Sequence, residues 1–258
     1  MQDSPRPLID EVRDFWEKGA CGHTRPELQS LDKFSPAWYE RMEQVRYELE
    51  PFIFSIAQFP RHRDKDILEI GVGAGTDHLQ FARSGARCHG VDLTDEGIKT
   101  TAGRLALHGF ESKLQRVNSE SLPFPDHKFD TVYSWGVIHH SENPQQIIDE
   151  TWRVLKPGGQ FAGMLYGRYS PHTLKMWVRF ALLTGRPWRT FRDVIWHHVE
   201  SLGTQCYTQG EIKNMFKSYS RVETTSLITP YDTSHFPKWM HPLFPQGFGW
   251  FIGINAWK

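Results

Sequence analysis

The sequence predicts an α/β fold built on a parallel sheet, and three observations carry that expectation. Between residues 66 and 166, short apolar runs of strand length alternate with longer amphipathic stretches of helix length. Gly85 and Gly109 stand where two of those stretches stop, as residues just past a helix end do. Arg153-Val154-Leu155-Lys156-Pro157-Gly158-Gly159 closes in Pro and Gly, which cannot extend a helix, so the chain turns there. Elements alternating in this way pack as a parallel sheet with right-handed crossovers.

In chain order, residues 8–60 read as helices ahead of the first strand. One helix covers 8–18. A second covers 36–49, with Ser35 as its N-cap and Pro36 at its first position. A polar loop, 19–26, lies between them. The core then reads as strand 66–70, helix 76–84, strand 87–92, helix 95–108, strand 113–118, strand 130–135, helix 144–155 and strand 160–166. Residues 167–206 break the alternation. They hold a helical pattern at 174–183 and read as a cap inserted after the fifth strand. Thr208-Gln209-Gly210-Glu211 is a capping box, opening a helix from 209 to about 218. A strand at 221–227 and a last strand at 249–257 complete the chain. There are no internal repeats and no low-complexity tracts.

At 258 residues and 39% hydrophobic content, one domain with insertions is the expectation. The 30 basic residues balance 30 acidic ones, whereas a chain gripping nucleic acid over a broad face is usually basic, so no long nucleic acid is expected as partner. The three cysteines, Cys21, Cys88 and Cys206, are far apart, with no CxxC pair. Neither a zinc site nor a disulfide framework is expected. The polar N-terminus has no signal-peptide pattern, and no apolar run approaches the ~20 residues that span a bilayer. These features point to the cytoplasm. Aromatic residues make up 14%, ten of them Trp, and many fall outside the alternating core, which suits an aromatic-lined pocket.

The chemistry is concentrated in Glu69-Ile70-Gly71-Val72-Gly73-Ala74-Gly75-Thr76 and in Asp92 at the tip of the second strand. Glycines after a buried strand let backbone approach a ligand, and an acid at the next strand tip can accept both hydroxyls of a ribose. A dinucleotide fingerprint reads Gly-x-Gly-x-x-Gly. Here the third glycine of that pattern is replaced by Thr76, and the leading Glu69 would put negative charge beside a pyrophosphate. It suits instead a ligand bearing an ammonium and a sulfonium, S-adenosylmethionine. At these residues the chain resembles the class I S-adenosylmethionine-dependent methyltransferases, near the ubiquinone/menaquinone methyltransferase-like group. Asn118 to Asp130 resembles that family's segment after the third strand, and Arg153 to Gly159 resembles its turn before the fifth. The resemblance covers roughly residues 64–166.

The resemblance implies a Rossmann-like, seven-stranded, mostly parallel sheet with helices on both faces and an antiparallel pair at one edge. It divides the chain into an N-terminal helical lid, 1–60, and a cofactor-binding domain, 61–258, carrying the cap at about 167–206. It implies that Glu69 sits near the methionine end, that Gly71, Gly73 and Gly75 allow close approach, that Asp92 takes the ribose and that Leu93 packs on adenine. Asn118, Ser119 and Glu120 would flank the adenine. Trp135 and Gly136 would border the sulfonium, where an aromatic ring adds roughly 0.5–2 kcal/mol of cation–π attraction. Arg46 in the lid could pair with the cofactor carboxylate, or form an i, i+4 pair with Glu50.

Methyl transfer is an in-line displacement in which protein groups chiefly align donor and acceptor. A base is needed only where the acceptor must lose a proton, and His140, with His139 beside it, follows the fourth strand at the crevice mouth. The cap offers His198 among Trp196, His197 and Glu200. A metal is not expected, since neither an HExxH spacing nor an acidic cluster after the fourth strand is present. The favoured reading is metal-independent methylation of a small molecule, at oxygen. The alternatives are a methyltransferase of tRNA or protein, with Arg179, Arg186, Arg189 and Arg192 as footprint, and a non-catalytic cofactor-binding partner protein. The Arg/Trp-rich cap also fits peripheral contact with a membrane if the acceptor is a lipid or quinone. The acceptor's identity and the oligomeric state are not legible.

Overall fold

The computed structural model describes residues 6–234, 236–237, 239, 245 and 247–258. The first five residues of the expected lid lie outside them. Helices α1 (Leu8–Trp16), α2 (Pro36–Leu49) and α3 (Ile53–Ala57) precede the sheet. The expected cap of α2 is present, with the Ser35 hydroxyl accepting from Trp38 N–H at 3.2 Å. The core then runs β1 (Asp66–Ile70), α4 (Thr76–Arg83), β2 (Arg87–Asp92), α5 (Asp95–Leu107), β3 (Lys113–Arg116), β4 (Phe129–Trp135), α6 (Pro144–Val154) and β5 (Leu155–Tyr166). After it come α7 (Pro171–Trp177), α8 (Phe191–His198), α9 (Gln209–Met215), β6 (Arg221–Leu227), α10 (Pro230–Thr233) and β7 (Phe251–Trp257).

The seven strands lie in the order β3-β2-β1-β4-β5-β7-β6. β1 to β5 are parallel, and β7 runs antiparallel to both β5 and β6. Side chains alternate across the sheet. Leu68 and Ile70 of β1 join an apolar layer with Ile147 and Ile148 of α6. Ile67 joins the opposite layer with Leu79 and Phe81 of α4 and Leu105 of α5. Both faces are covered, which is why Ile67, Leu68 and Ile70 are all apolar and Glu69 is the one polar side chain among them.

The largest departures from the expected boundaries are in β5, the cap helix and α9, while α1, β3 and β7 differ by two residues at one end. β5 begins at Leu155 rather than 160, because Leu155 pairs with Phe129 before a register shift carries the ladder to Thr131 and Gln160. The cap helix begins at Pro171 rather than 174, with the Ser170 hydroxyl accepting from Thr173 N–H at 3.0 Å, and widens into a π-helical turn at Val178–Leu182. The capping box at Thr208 and Glu211 is formed, but its helix stops at Met215. No helix among the described residues is long and apolar enough to cross a membrane.

Candidate active site

The carboxyl ends of β1, β2 and β4 open onto one cleft, the position at which open parallel sheets bind ligands. Glu69, Gly71, Gly73, Asp92, Leu93, Asn118, Ser119, Trp135, Gly136, His140 and Arg46 all line it. The lid roofs it with Ile9, Val12, Trp16, Met42 and Val45.

The floor is made by backbone. Gly71 has φ 79°, and a Cβ there would stand 2.2 Å from Val137 Cγ2, so only glycine fits. A Cβ on Gly73 or Gly136 would meet only Ala20 Cβ at 3.8 Å or Met164 Cε at 3.7 Å, so the missing side chains leave ligand space free. Gly75 departs from expectation. It is not on the cleft wall, and its Cβ would press on Thr101 of α5 at 2.9 Å, so its smallness serves loop-to-helix packing.

Asp92 is locked in place. Its Oδ2 accepts Gly73 N–H at 2.9 Å, and its Oδ1 accepts the Thr94 N–H at 2.9 Å and the Thr94 hydroxyl at 2.6 Å. Burial raises its carboxyl above the usual range, against the pull of these donors. Gly97, in the first turn of α5, gives this carboxylate its room, since a Cβ there would lie 2.6 Å from Asp92 Cγ. Sequence reasoning missed Gly97. The available signal was a glycine inside a helix, where it costs about 1 kcal/mol against alanine.

On the adenine side expected from the sequence, Leu93, Asn118 and Ser119 stand on the wall. Asn118 Oδ1 already accepts Glu120 N–H at 3.1 Å, which leaves the amide Nδ2 for a ligand. Glu120 is not on the wall. Its carboxylate accepts the Ser141 hydroxyl at 2.6 Å and Asn143 N–H at 3.1 Å, and so braces two loops. Trp135 lines the cleft, and its indole N–H donates to Glu50 Oε2 at 2.8 Å, which fixes the ring plane.

Glu69 is buried, with Oε2 2.9 Å from His78 Nδ1. Ser112 Oγ lies 2.8 Å from His78 Nε2 and gives its own hydrogen to Cys88 O at 2.9 Å. His78 Nε2 therefore donates to Ser112, its Nδ1 accepts, and the Glu69 carboxyl holds the proton between them. Burial acts in the same direction on both, raising Glu69 well above the carboxylate range and pushing His78 down to about 4. The free-standing negative charge expected at Glu69 is thus neutralised in the absence of a cation.

Arg46 is engaged rather than free. Its Nε donates to Asp77 Oδ1 at 3.0 Å and its Nη2 to Asp77 Oδ2 at 2.5 Å, while Nη1 stands 4.0 Å from Glu50 Oε2. Asp77 also accepts the hydroxyls of Tyr47 at 3.1 Å and Tyr133 at 2.8 Å. The i, i+4 pairing with Glu50 is real but buried, and only Nη1 remains for a ligand carboxylate. Asp77 was missed, although an acid in the first turn of the helix after the glycines was visible in the sequence.

The histidines separate. His140 lines the cleft, with Nδ1 3.1 Å from both Thr204 Oγ1 and Ser201 Oγ, and Nε2 3.2 Å from Glu200 Oε2. His139 is fully buried behind it against Tyr166, with ring centroids 3.8 Å apart, and burial holds its imidazole far below the usual value. It does not reach the cleft. His198 is also elsewhere, stacked on Phe180 at 4.1 Å with Nε2 3.0 Å from Arg189 Nη1. The cap residues that reach His140 are Glu200, Ser201 and Thr204, and Glu200 Oε2 also accepts the Tyr166 hydroxyl at 2.9 Å. The Glu200 φ of 55° is left-handed, a strained setting for a side chain of this size. His140 and Tyr166 keep its carboxyl below the usual range against the effect of burial. His139, His140 and Glu200 place three donor atoms within 4.8 Å of one another, a grouping that sequence spacing concealed.

Residues 68–163 match the family model of a methyltransferase domain. Over that segment the chain is similar to class I S-adenosylmethionine-dependent methyltransferases. An uncharacterised methyltransferase, YcgJ of Bacillus subtilis, is 33% identical over 132 residues, 51% of each chain. A ubiquinone biosynthesis O-methyltransferase of Nitrosospira multiformis is 25% identical over 147 residues, 55% of this chain and 62% of that one. The fold extends further than the sequence match: the [4+2]-cyclase SpnF superposes over 97% of this chain and 94% of its own, with a TM-score of 0.58 at 15% identity. The chain spans about half the length of the first curated relatives it matches.

The site fits S-adenosylmethionine, the cofactor of this domain class. Bare backbone at Gly73 and Gly136 leaves its path open, and Asp92 stands at the strand tip. Four acids on the wall, Glu50, Glu69, Asp77 and Asp92, stand against two cations, Arg25 and Arg46, and with Glu69 protonated the three remaining acids still outnumber them, which favours a positively charged ligand.

Proposed function

We propose that the protein methylates a small-molecule acceptor, at oxygen, without a metal. The observation that carries this reading is the roof. Lid residues Ile9, Val12, Trp16 and Met42 share one cleft with the glycine loop and Asp92, so the acceptor's compartment has apolar walls beside a polar nucleoside site. Such walls select a molecule small enough to pass under two helices.

Bound S-adenosylmethionine would supply the electrophilic methyl group. Asp92 holds the ribose, Asn118 and Ser119 border the base, and Trp135, fixed by Glu50, orders the wall beside the sulfur. The lid excludes water and aligns the acceptor, which is the larger part of catalysis in an in-line displacement. His140 holds the proton leaving an acceptor hydroxyl, and ionised Glu200 at 3.2 Å complements the imidazolium so formed. To take that proton at Nδ1, the ring exchanges its Ser201 or Thr204 partner for the acceptor.

The test is transfer from methyl-labelled S-adenosylmethionine to a panel of phenols, enols and alcohols, with bulk tRNA and protein as competing acceptors. Label in an alkali-stable ether of a small molecule is expected. Label in RNA or protein contradicts the reading.

A further inference from the structure

The cap carries a charge imbalance that the cleft does not use. Residues 167–192 contain six Arg and Lys and no Asp or Glu, in a chain whose 30 basic and 30 acidic residues cancel over its whole length. Three of the six are paired: Arg168 and Arg192 with Glu211, and Arg189 with Asp193. Lys175, Arg179 and Arg186 have no ion-pair partner among the described residues.

The same segment exposes several large apolar side chains. Residues 182–188, Leu-Leu-Thr-Gly-Arg-Pro-Trp, are all exposed, Leu183 by 76% and Trp188 by 75%, and Leu174 and Tyr169 stand open nearby. The tip is a built feature. Arg186 N–H donates to Ala181 O at 2.8 Å, Leu183 N–H to Val178 O at 2.9 Å, and the Trp177 indole to Arg189 O at 2.7 Å, so the turn is held shut while its side chains face outward. Exposed leucine and tryptophan ringed by uncompensated cations are costly in water. Together they match an interface that is apolar within and anionic at its surface.

We propose that the tip 182–188, flanked by Lys175, Arg179 and Arg186, docks the protein on an anionic lipid surface, with Leu182, Leu183 and Trp188 entering the headgroup region. The opposed charges fix the occupant: a neutral apolar partner would leave the three cations unanswered. None of these residues lines the cleft, so docking is separable from cofactor binding.

The test is co-sedimentation of the full chain with phosphatidylcholine vesicles, with and without phosphatidylglycerol, at low and high salt. Wild type is expected to partition onto the anionic vesicles, and salt to weaken it. Leu183→Glu should lower partitioning at least tenfold, and each of Arg179→Gln and Arg186→Gln about fivefold. Calorimetric titration with S-adenosylhomocysteine should be unchanged in all three, which shows that they are folded. The proposal is overturned if wild type does not bind anionic vesicles, if it binds neutral ones equally, or if the variants bind as wild type does. It is equally overturned if light scattering shows a dimer that Leu183→Glu dissociates, because the tip would then serve a second copy.

Discussion

Asp92 accepts three hydrogen bonds from its own chain and still faces the cleft, so it is preorganised for a ligand rather than recruited by one. Charge-assisted hydrogen bonds are worth roughly 1.5–3 kcal/mol each, so Asp92→Ala should weaken S-adenosylmethionine by about 100-fold or more, read by calorimetry. Gly97→Ala should give a similar loss with the fold intact, because the new methyl displaces the carboxylate. A circular dichroism spectrum and melting point close to wild type would separate that effect from misfolding. Glu69 offers a finer test. Its carboxyl is protonated against His78 while the site lacks a cation, and a sulfonium and ammonium beside it favour ionisation. Cofactor binding should then release protons, so its enthalpy should change between buffers of different ionisation heat. A buffer-independent enthalpy would contradict the assignment. The floor of this site was legible because glycine and a strand-tip acid carry their reasons locally. Asp77 and Glu200 were not, because each takes its role from a partner more than 30 positions away, and Gly97 was not, because its role comes from the Asp92 carboxylate of the preceding strand.

At the scale of elements, the lid is anchored by ions rather than by apolar contact alone. The Glu17 carboxylate accepts Asp95 N–H at 3.1 Å and Glu96 N–H at 3.0 Å, capping α5 from the lid side. α2 reaches α4 through Arg46 and Asp77, whose side chains are 22% and 2% exposed. Removing one partner of a buried pair costs roughly 3–5 kcal/mol. Arg46→Leu should therefore lower the melting temperature sharply, and Asp77→Asn should do so less, since it keeps acceptors for Tyr47 and Tyr133. Equal melting points for all three proteins would show that the network is not structural. The strands and α2 were readable from the sequence because period and capping act within a few residues. The cap was read as an insertion but not resolved into α7, a π turn and α8. Its helices are short, and they are held by contacts such as Trp177 to Arg189 that no local pattern announces.

Across the molecule, three imidazoles in different parts of the fold, His78, His89 and His172, are kept neutral. Burial holds His78 at about 4, and burial with nearby lysines holds His89 and His172 at about 4. Each has a folded pKa below its unfolded value of 6.5, so the unfolded chain binds the extra protons. The stability these sites contribute is whole above pH 6.5 and is lost as pH falls toward 4. His78 is the exception, because the proton its burial excludes is taken up by Glu69, whose raised carboxyl offsets it between pH 4.5 and 6.5. Melting temperature should fall from pH 7 to 5, and His172→Gln should flatten that slope. A pH-independent melt would contradict the burial of these rings.

The central claim is that the cleft roofed by the lid binds S-adenosylmethionine through Asp92. Isothermal titration of wild type and Asp92→Ala with S-adenosylmethionine and S-adenosylhomocysteine tests it most directly. The account predicts micromolar binding of both ligands to wild type and loss of both in the variant. Absence of binding to wild type, or binding that survives the substitution, would contradict it.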